Sequence, residues 1–218
     1  MDSSHVALVS LNLSMDGFES YRADSNMVLG VSIANLAKVM KLSDNSDSIT
    51  LQADQEATHL KIIFENAKSE RKTEFNLNLI TIDSEHLAIP ETEYQSVVTI
   101  NSNEYTKICK ELFALSETVQ ITTSLDSVTF SVEGEVGSGS VKLGNNDGKK
   151  GDDTIILEVE EQVQQQFALR YLNMFNKAAS ISNFTRLCLH QEQPLVVEFK
   201  IDNLGVLKYF LAPKIADE

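Results

Sequence analysis

Proline, glycine, cysteine and positive charge are all scarce here. The 218 residues hold 3 Pro and 9 Gly, and no long low-complexity tract interrupts them. The two cysteines, Cys109 and Cys188, are isolated. They are too few for a disulfide framework or a cysteine metal site, and they suit a reducing compartment. His5, His59, His86 and His190 are scattered without metal-ligand spacing. No nucleophile elbow, phosphate loop or paired-cysteine motif is present. The chain therefore reads as no enzyme, with neither cofactor nor metal expected. No apolar run approaches the length that spans a bilayer, so no membrane partner is expected. Residues 6–13 are apolar-rich, but no basic stretch precedes them and no small-residue cleavage site follows, which argues against a secretory signal. Only 18 Lys and Arg face 32 Asp and Glu, a net charge of −14. Taken alone that balance favours solubility and argues against nucleic-acid binding. The placement of the few cations then matters more than their number.

What is present has an internal plan. Residues 5–14 alternate, with Val9, Leu11 and Leu13 on one face and Ser10, Asn12 and Ser14 on the other, as in a half-buried strand. Residues 32–42 have a helical period, with Ile33, Leu36, Ala37 and Met40 as the apolar stripe. Strands are predicted around 49–52, 60–64 and 75–79. After residue 97 the plan repeats. A helix is predicted over 102–113, with Tyr105, Ile108, Cys109 and Leu112 inward. Short strands follow near 119–122, 128–132, 141–143 and 155–159. A third helix is predicted over 167–179, with Ala168, Tyr171, Leu172 and Phe175 inward and Asn173 outward. Strands near 187–189, 195–201 and 206–211 close the chain. Lys38 to Lys107 and Lys41 to Lys110 both step by 69; Lys41 to Lys177, Leu36 to Leu172 and Leu51 to Leu187 step by 136. Three helix-then-strands units imply an α+β fold of two similar domains, over 1–77 and 97–218. The first lacks its opening helix. Residues 78–96 connect them as an extended acidic segment that presents Leu87, Ile89 and Pro90.

Each helix sets two cations on its non-core side: Lys38 and Lys41, Lys107 and Lys110, Arg170 and Lys177. For any one helix the ordinary reading is a solvated face. Three copies in an acidic chain favour contact with a phosphate backbone, which is sequence-independent and salt-dependent. No cluster nearby would read or stack bases.

Several strings are specific. MDSSHV at 1–6, YRAD at 21–24, HLAIPETEY at 86–94, FALRYL at 167–172, PLVVEF at 194–199 and LKYFLAPKI at 207–215 closely resemble the proliferating cell nuclear antigen family, the eukaryotic sliding clamps. The similarity covers essentially the whole chain. It implies a nuclear homotrimeric ring of two-domain subunits that encircles double-stranded DNA non-specifically. Such a ring raises polymerase processivity in replication and repair. Its implied partners are DNA polymerases, a clamp loader and other clients carrying clamp-binding peptides. The resemblance places Lys38, Lys41, Lys107, Lys110, Arg170 and Lys177 on the hole. It places a client-peptide pocket on Met1, His5, Val6, Leu8, Leu87, Ile89, Pro90, Tyr94, Pro194, Phe210, Ala212, Pro213, Lys214 and Ile215. The trimer contact falls on 71–79 and 134–143, with Phe75, Leu77, Gly137, Gly139 and Val141. Glycine in the second segment permits close backbone approach.

The chain also departs from the family pattern. There a strand, a basic helix and a strand precede the position of Met1, so the first domain is expected to expose sheet edges and core. Leu125 stands where the family has a lysine that accepts ubiquitin-like modifiers, and Phe210 replaces a tyrosine. The runner-up reading is a truncated clamp relative that binds client peptides without encircling DNA.

Overall fold

The computed structural model describes residues 4–82, 93–146 and 154–214. It has strands β1 (Ala7–Leu13), β2 (Ser48–Gln52), β3 (His59–Asn66), β4 (Arg71–Asn78), β5 (Ser96–Asn101), β6 (Thr118–Ser124), β7 (Ser127–Gly134), β8 (Gly137–Gly144), β9 (Ile155–Val159), β10 (Gln164–Ala168), β11 (Phe184–Leu189), β12 (Leu195–Ile201) and β13 (Gly205–Leu211). Its helices are α1 (Ile33–Met40), α2 (Ser102–Phe113) and α3 (Leu169–Phe175). The described strands form three antiparallel sheets, ordered β1-β13-β12-β11-β5-β9, β10-β6-β7-β8 and β2-β3-β4. The class is α+β, as the alternating strands and amphipathic helices predict.

The chain packs as two compact units, one of 1–21 with 91–218 and one of 22–90. That division differs from a linear cut at 77 and 97, because β1 leaves its sequence neighbours. It pairs along its whole length with β13, from Ala7 opposite Leu211 to Leu13 opposite Gly205. Gly205 permits this contact. Its φ is +156°, and a Cβ there would lie 2.0 Å from the Asn12 carbonyl oxygen.

In the larger unit one core joins the inner faces of the six- and four-stranded sheets to α2 and α3. Tyr105, Ile108, Cys109 and Leu112 of α2 and Leu169, Leu172 and Phe175 of α3 are all buried in it. Asn101 caps α2, its side-chain oxygen accepting from the amides of Asn103 (2.9 Å) and Glu104 (3.2 Å). The third helix is shorter than its periodicity predicts. Gln164 to Ala168 instead alternate as β10, with Gln165 and Phe167 buried and Gln164 and Gln166 exposed. After Phe175 the chain tightens into a 3-10 turn over Asn176–Ile181. Asn173 does not face solvent; its amide donates to the carbonyls of Leu169 (3.1 Å) and of Cys109 on α2 (3.4 Å).

In the smaller unit Leu60, Ile62, Phe64 and Leu77 pack beneath Leu36, Val39 and Met40 of α1. Ser32 caps this helix through its hydroxyl, which accepts from the Asn35 amide at 3.4 Å. The periodicity puts Ile33 and Ala37 in the stripe, but both are exposed, Ile33 at 74%, because the helix turns its 36-39-40 line to the sheet. Apolar positions at two sheet edges also stand in solvent. Leu51 on β2 is 55% exposed and Leu11 on β1 is 54% exposed.

Candidate functional site

The sequence marks three surfaces: the basic helix faces, an apolar cluster at the sheet ends, and two strand edges. On the helices, core packing fixes which way the cations point. Burial of Tyr105, Ile108, Cys109 and Leu112 leaves Lys107 and Lys110 on the exposed side of α2. Burial of Leu169, Leu172 and Phe175 leaves Arg170 exposed on α3, and Lys177 is exposed on the turn after it. The Arg170 guanidinium carbon lies 5.0 Å above the Tyr171 ring. α2 and α3 pack together, so these four cations share one helical layer. In the smaller unit Lys38 lies in the last turn of α1 and Lys41 caps its end; both are exposed. No ion pair joins any of the six to an acid among the described residues. The ion pairs among the described residues lie mostly on strands, such as Lys61 with Glu74 at 2.8 Å and Lys72 with Glu65 at 3.0 Å, and one joins Arg22 to Asp24 in the segment before α1. Lys61 holds the Glu74 carboxyl below its usual range, and Glu65 raises the Lys72 ammonium.

The apolar cluster is built by register. Cys188 on β11 sits directly opposite Val97 on β5 and Val196 on β12. Val196 faces Phe210 on β13, and Phe210 faces Leu8 on β1. Directly paired residues point to the same face of a sheet. Val97, Cys188, Val196, Phe210 and Leu8 therefore form one row across five strands, on the face turned away from the core. Tyr94 packs against its buried part. Burial raises the Tyr94 hydroxyl above its ordinary value, and Cys188 and Glu198 nearby add to the effect. Burial likewise pushes the Cys188 thiol up to about 11. One step towards the strand ends, the Ala212 amide donates to the Val6 carbonyl at 2.9 Å. The tail then reaches Lys214, whose amide donates to the Gln166 carbonyl (2.8 Å) and whose ammonium donates to the Thr118 hydroxyl (2.7 Å).

Of the residues named for the pocket, the structure gathers Val6, Leu8, Tyr94, Phe210 and Ala212 at this end of the six-stranded sheet. Pro213 continues the tail, half-buried, with Lys214 exposed after it. Pro194 is exposed immediately before β12, and His5 is exposed just before β1. Met1, Leu87, Ile89, Pro90 and Ile215 lie outside the described residues. Sequence reasoning missed Val97, Cys188 and Val196, which form the floor of the row. The signal was the parity of three apolar strands, but neighbouring apolar residues there hide which face is which.

The two strand edges are also seen. β4 ends the sheet β2-β3-β4, and β8 ends the sheet β10-β6-β7-β8. Their named residues are not all exposed. Leu77 is buried, and Phe75 packs on Phe64 with ring centroids 5.6 Å apart. Val141 packs against the larger core. Each edge offers main chain rather than these side chains. At the β7–β8 turn Gly137 has φ +148°, a conformation that side chains disfavour. A Cβ on Gly139 would come within 2.9 Å of Leu115 Cδ1.

Antiparallel sheets backed by helices in two units fit an α+β sliding-clamp fold. Residues 1–86 match the family model described as proliferating cell nuclear antigen, N-terminal domain, and residues 88–214 match the C-terminal domain of the same description. The "Proliferating cell nuclear antigen" of Chaetomium thermophilum is 43% identical over 219 residues, covering 100% of this chain and 85% of that protein. The chain belongs to the proliferating cell nuclear antigen family. That family comprises sliding clamps and processivity factors of DNA replication rather than catalysts.

Proposed function

We propose that this chain is the subunit of a homotrimeric ring that encircles duplex DNA and tethers polymerases, a clamp loader and repair factors in the nucleus. In this reading 1–77 and 97–218 are the clamp domains and 78–96 is the connector. The edge of β4 in one subunit pairs with the edge of β8 in the next, which would satisfy two rows of open main-chain groups. The helices face the hole, and clients enter the pocket by short peptides with apolar and aromatic anchors. One observation carries the proposal. Lys38, Lys41, Lys107, Lys110, Arg170 and Lys177 are exposed and form no ion pair among the described residues, in a chain of net charge −14. A ring holds DNA topologically, so weak cationic attraction in the hole suffices, and acidic surfaces elsewhere repel the duplex.

The test is charge reversal of all six to glutamate. Stimulation of polymerase processivity should be abolished while client-peptide binding is retained. Processivity that survives the change contradicts the assignment of these residues to the hole.

A further inference from the structure

Next to the apolar row, on the same sheet face, stands a row of charges. Thr99, Arg186, Glu198, Lys208 and Ser10 lie side by side on β5, β11, β12, β13 and β1. Each is two residues from its neighbour in the apolar row, roughly 7 Å along the strand. Arg186 Nη1 is 3.8 Å from Glu198 Oε1, and its Nη2 is 3.9 Å from Glu158 Oε2. Lys208 Nζ is 3.4 Å from Glu198 Oε2. The acid shared by both cations is sunken: its side chain is 17% exposed, against 44% for Arg186 and 39% for Lys208. A guanidinium carries five donors in a planar fork. At 3.8 and 3.9 Å the two contacts of Arg186 are longer than hydrogen bonds, and the one with Glu158, exposed on both sides, holds little energy. The fork can exchange them for a closer bidentate partner. The same group also acts on the pocket, since Arg186 and Glu198 both influence the Tyr94 hydroxyl.

Resting on the peptide-pocket reading above, we propose that Arg186, with Lys208 beside it, determines specificity there by selecting client peptides that carry a carboxylate about one strand step from their apolar anchors. The charge argument is local complementarity. The net charge of −14 disfavours acidic ligands almost everywhere else. Here two accessible cations stand beside an apolar floor with two acids. Glu198 is sunken between them, and Glu158 is exposed and 3.9 Å from Arg186, so a closer carboxylate can take its place on the fork. An acidic side chain that meets Arg186 satisfies the fork while its neighbours cover Val196, Phe210 and Leu8.

The probes are two synthetic peptides with identical apolar and aromatic anchors, one with glutamate and one with lysine at the flanking positions. Binding is read by fluorescence anisotropy at low and high salt. The unmodified protein should prefer the glutamate peptide by about fivefold at low salt, with the gap narrowing as salt rises. Arg186→Glu should reverse the preference, and Arg186→Lys should keep most of it. Equal affinity for the two peptides, or an equal loss of both in Arg186→Glu, overturns the proposal. Phe210→Ala separates the two layers of inference, because it should weaken both peptides alike. If it weakens neither, the pocket reading itself fails.

Discussion

Cys109 and Cys188 sit in different environments, yet both thiols are pushed from 9.0 to about 11, in each case chiefly by burial. The Cys109 thiol lies among the side chains of Tyr105 and Asn176 on the helical layer, and both lower it slightly. Cys188 lies in the apolar row of the six-stranded sheet, where Arg186 partly offsets the burial. A thiol at about 11 is almost wholly protonated at pH 8, and only the thiolate reacts. Native protein should therefore show no fast-reacting thiol towards a disulfide reagent at pH 8, and two after denaturation. The linkage has a definite sign. A folded-state value raised above the unfolded one leaves stability intact below pH 9 and removes it as pH rises through about 11. The melting temperature should fall across that window. A flat profile there would contradict the burial of both thiols.

At the scale of elements, caps and registers explain what patterns alone left open. The Asn101 side chain satisfies two amides at the start of α2, the helix that carries Lys107 and Lys110. Asn101→Ala should cost about 1 kcal/mol in denaturant unfolding, and Asn101→Asp should cost less, since aspartate keeps the oxygen that accepts from both amides. An equal loss for both would show that acceptance by the side-chain oxygen is not what Asn101 contributes. The helix faces were legible in the sequence because Ile108 and Leu112 recur at helical spacing between lysines. The strand within 5–14 was legible from its period of two, but its Val9, Leu11 and Leu13 are 55%, 54% and 39% exposed rather than half-buried. The pairing of β1 with β13 was not, because nothing local in residues 7–13 names a partner almost the whole chain away. β10 was missed because Gln165 is a buried polar residue in an alternation that apolar counting overlooks. Its amide instead donates to the Gln191 carbonyl at 2.9 Å. The residues proposed for the pocket came from matched strings, whereas the apolar row beside them needed the register that joins Val97, Cys188 and Val196.

For the whole molecule the governing fact is a contrast of charge. Acids outnumber bases 32 to 18, yet the six helix cations form no ion pair among the described residues. Such an arrangement gives weak, salt-screened attraction without base readout. It suits a duplex that must move through the protein rather than stay bound to one site. Encirclement is the central claim, and its direct test is topological. Protein is loaded onto nicked circular DNA by a clamp loader, purified by gel filtration in high salt, and the DNA is then linearised. The account predicts that the protein stays with the circle and leaves once free ends are cut. Equal loss from circular and linear DNA, or equal retention on both, would contradict it.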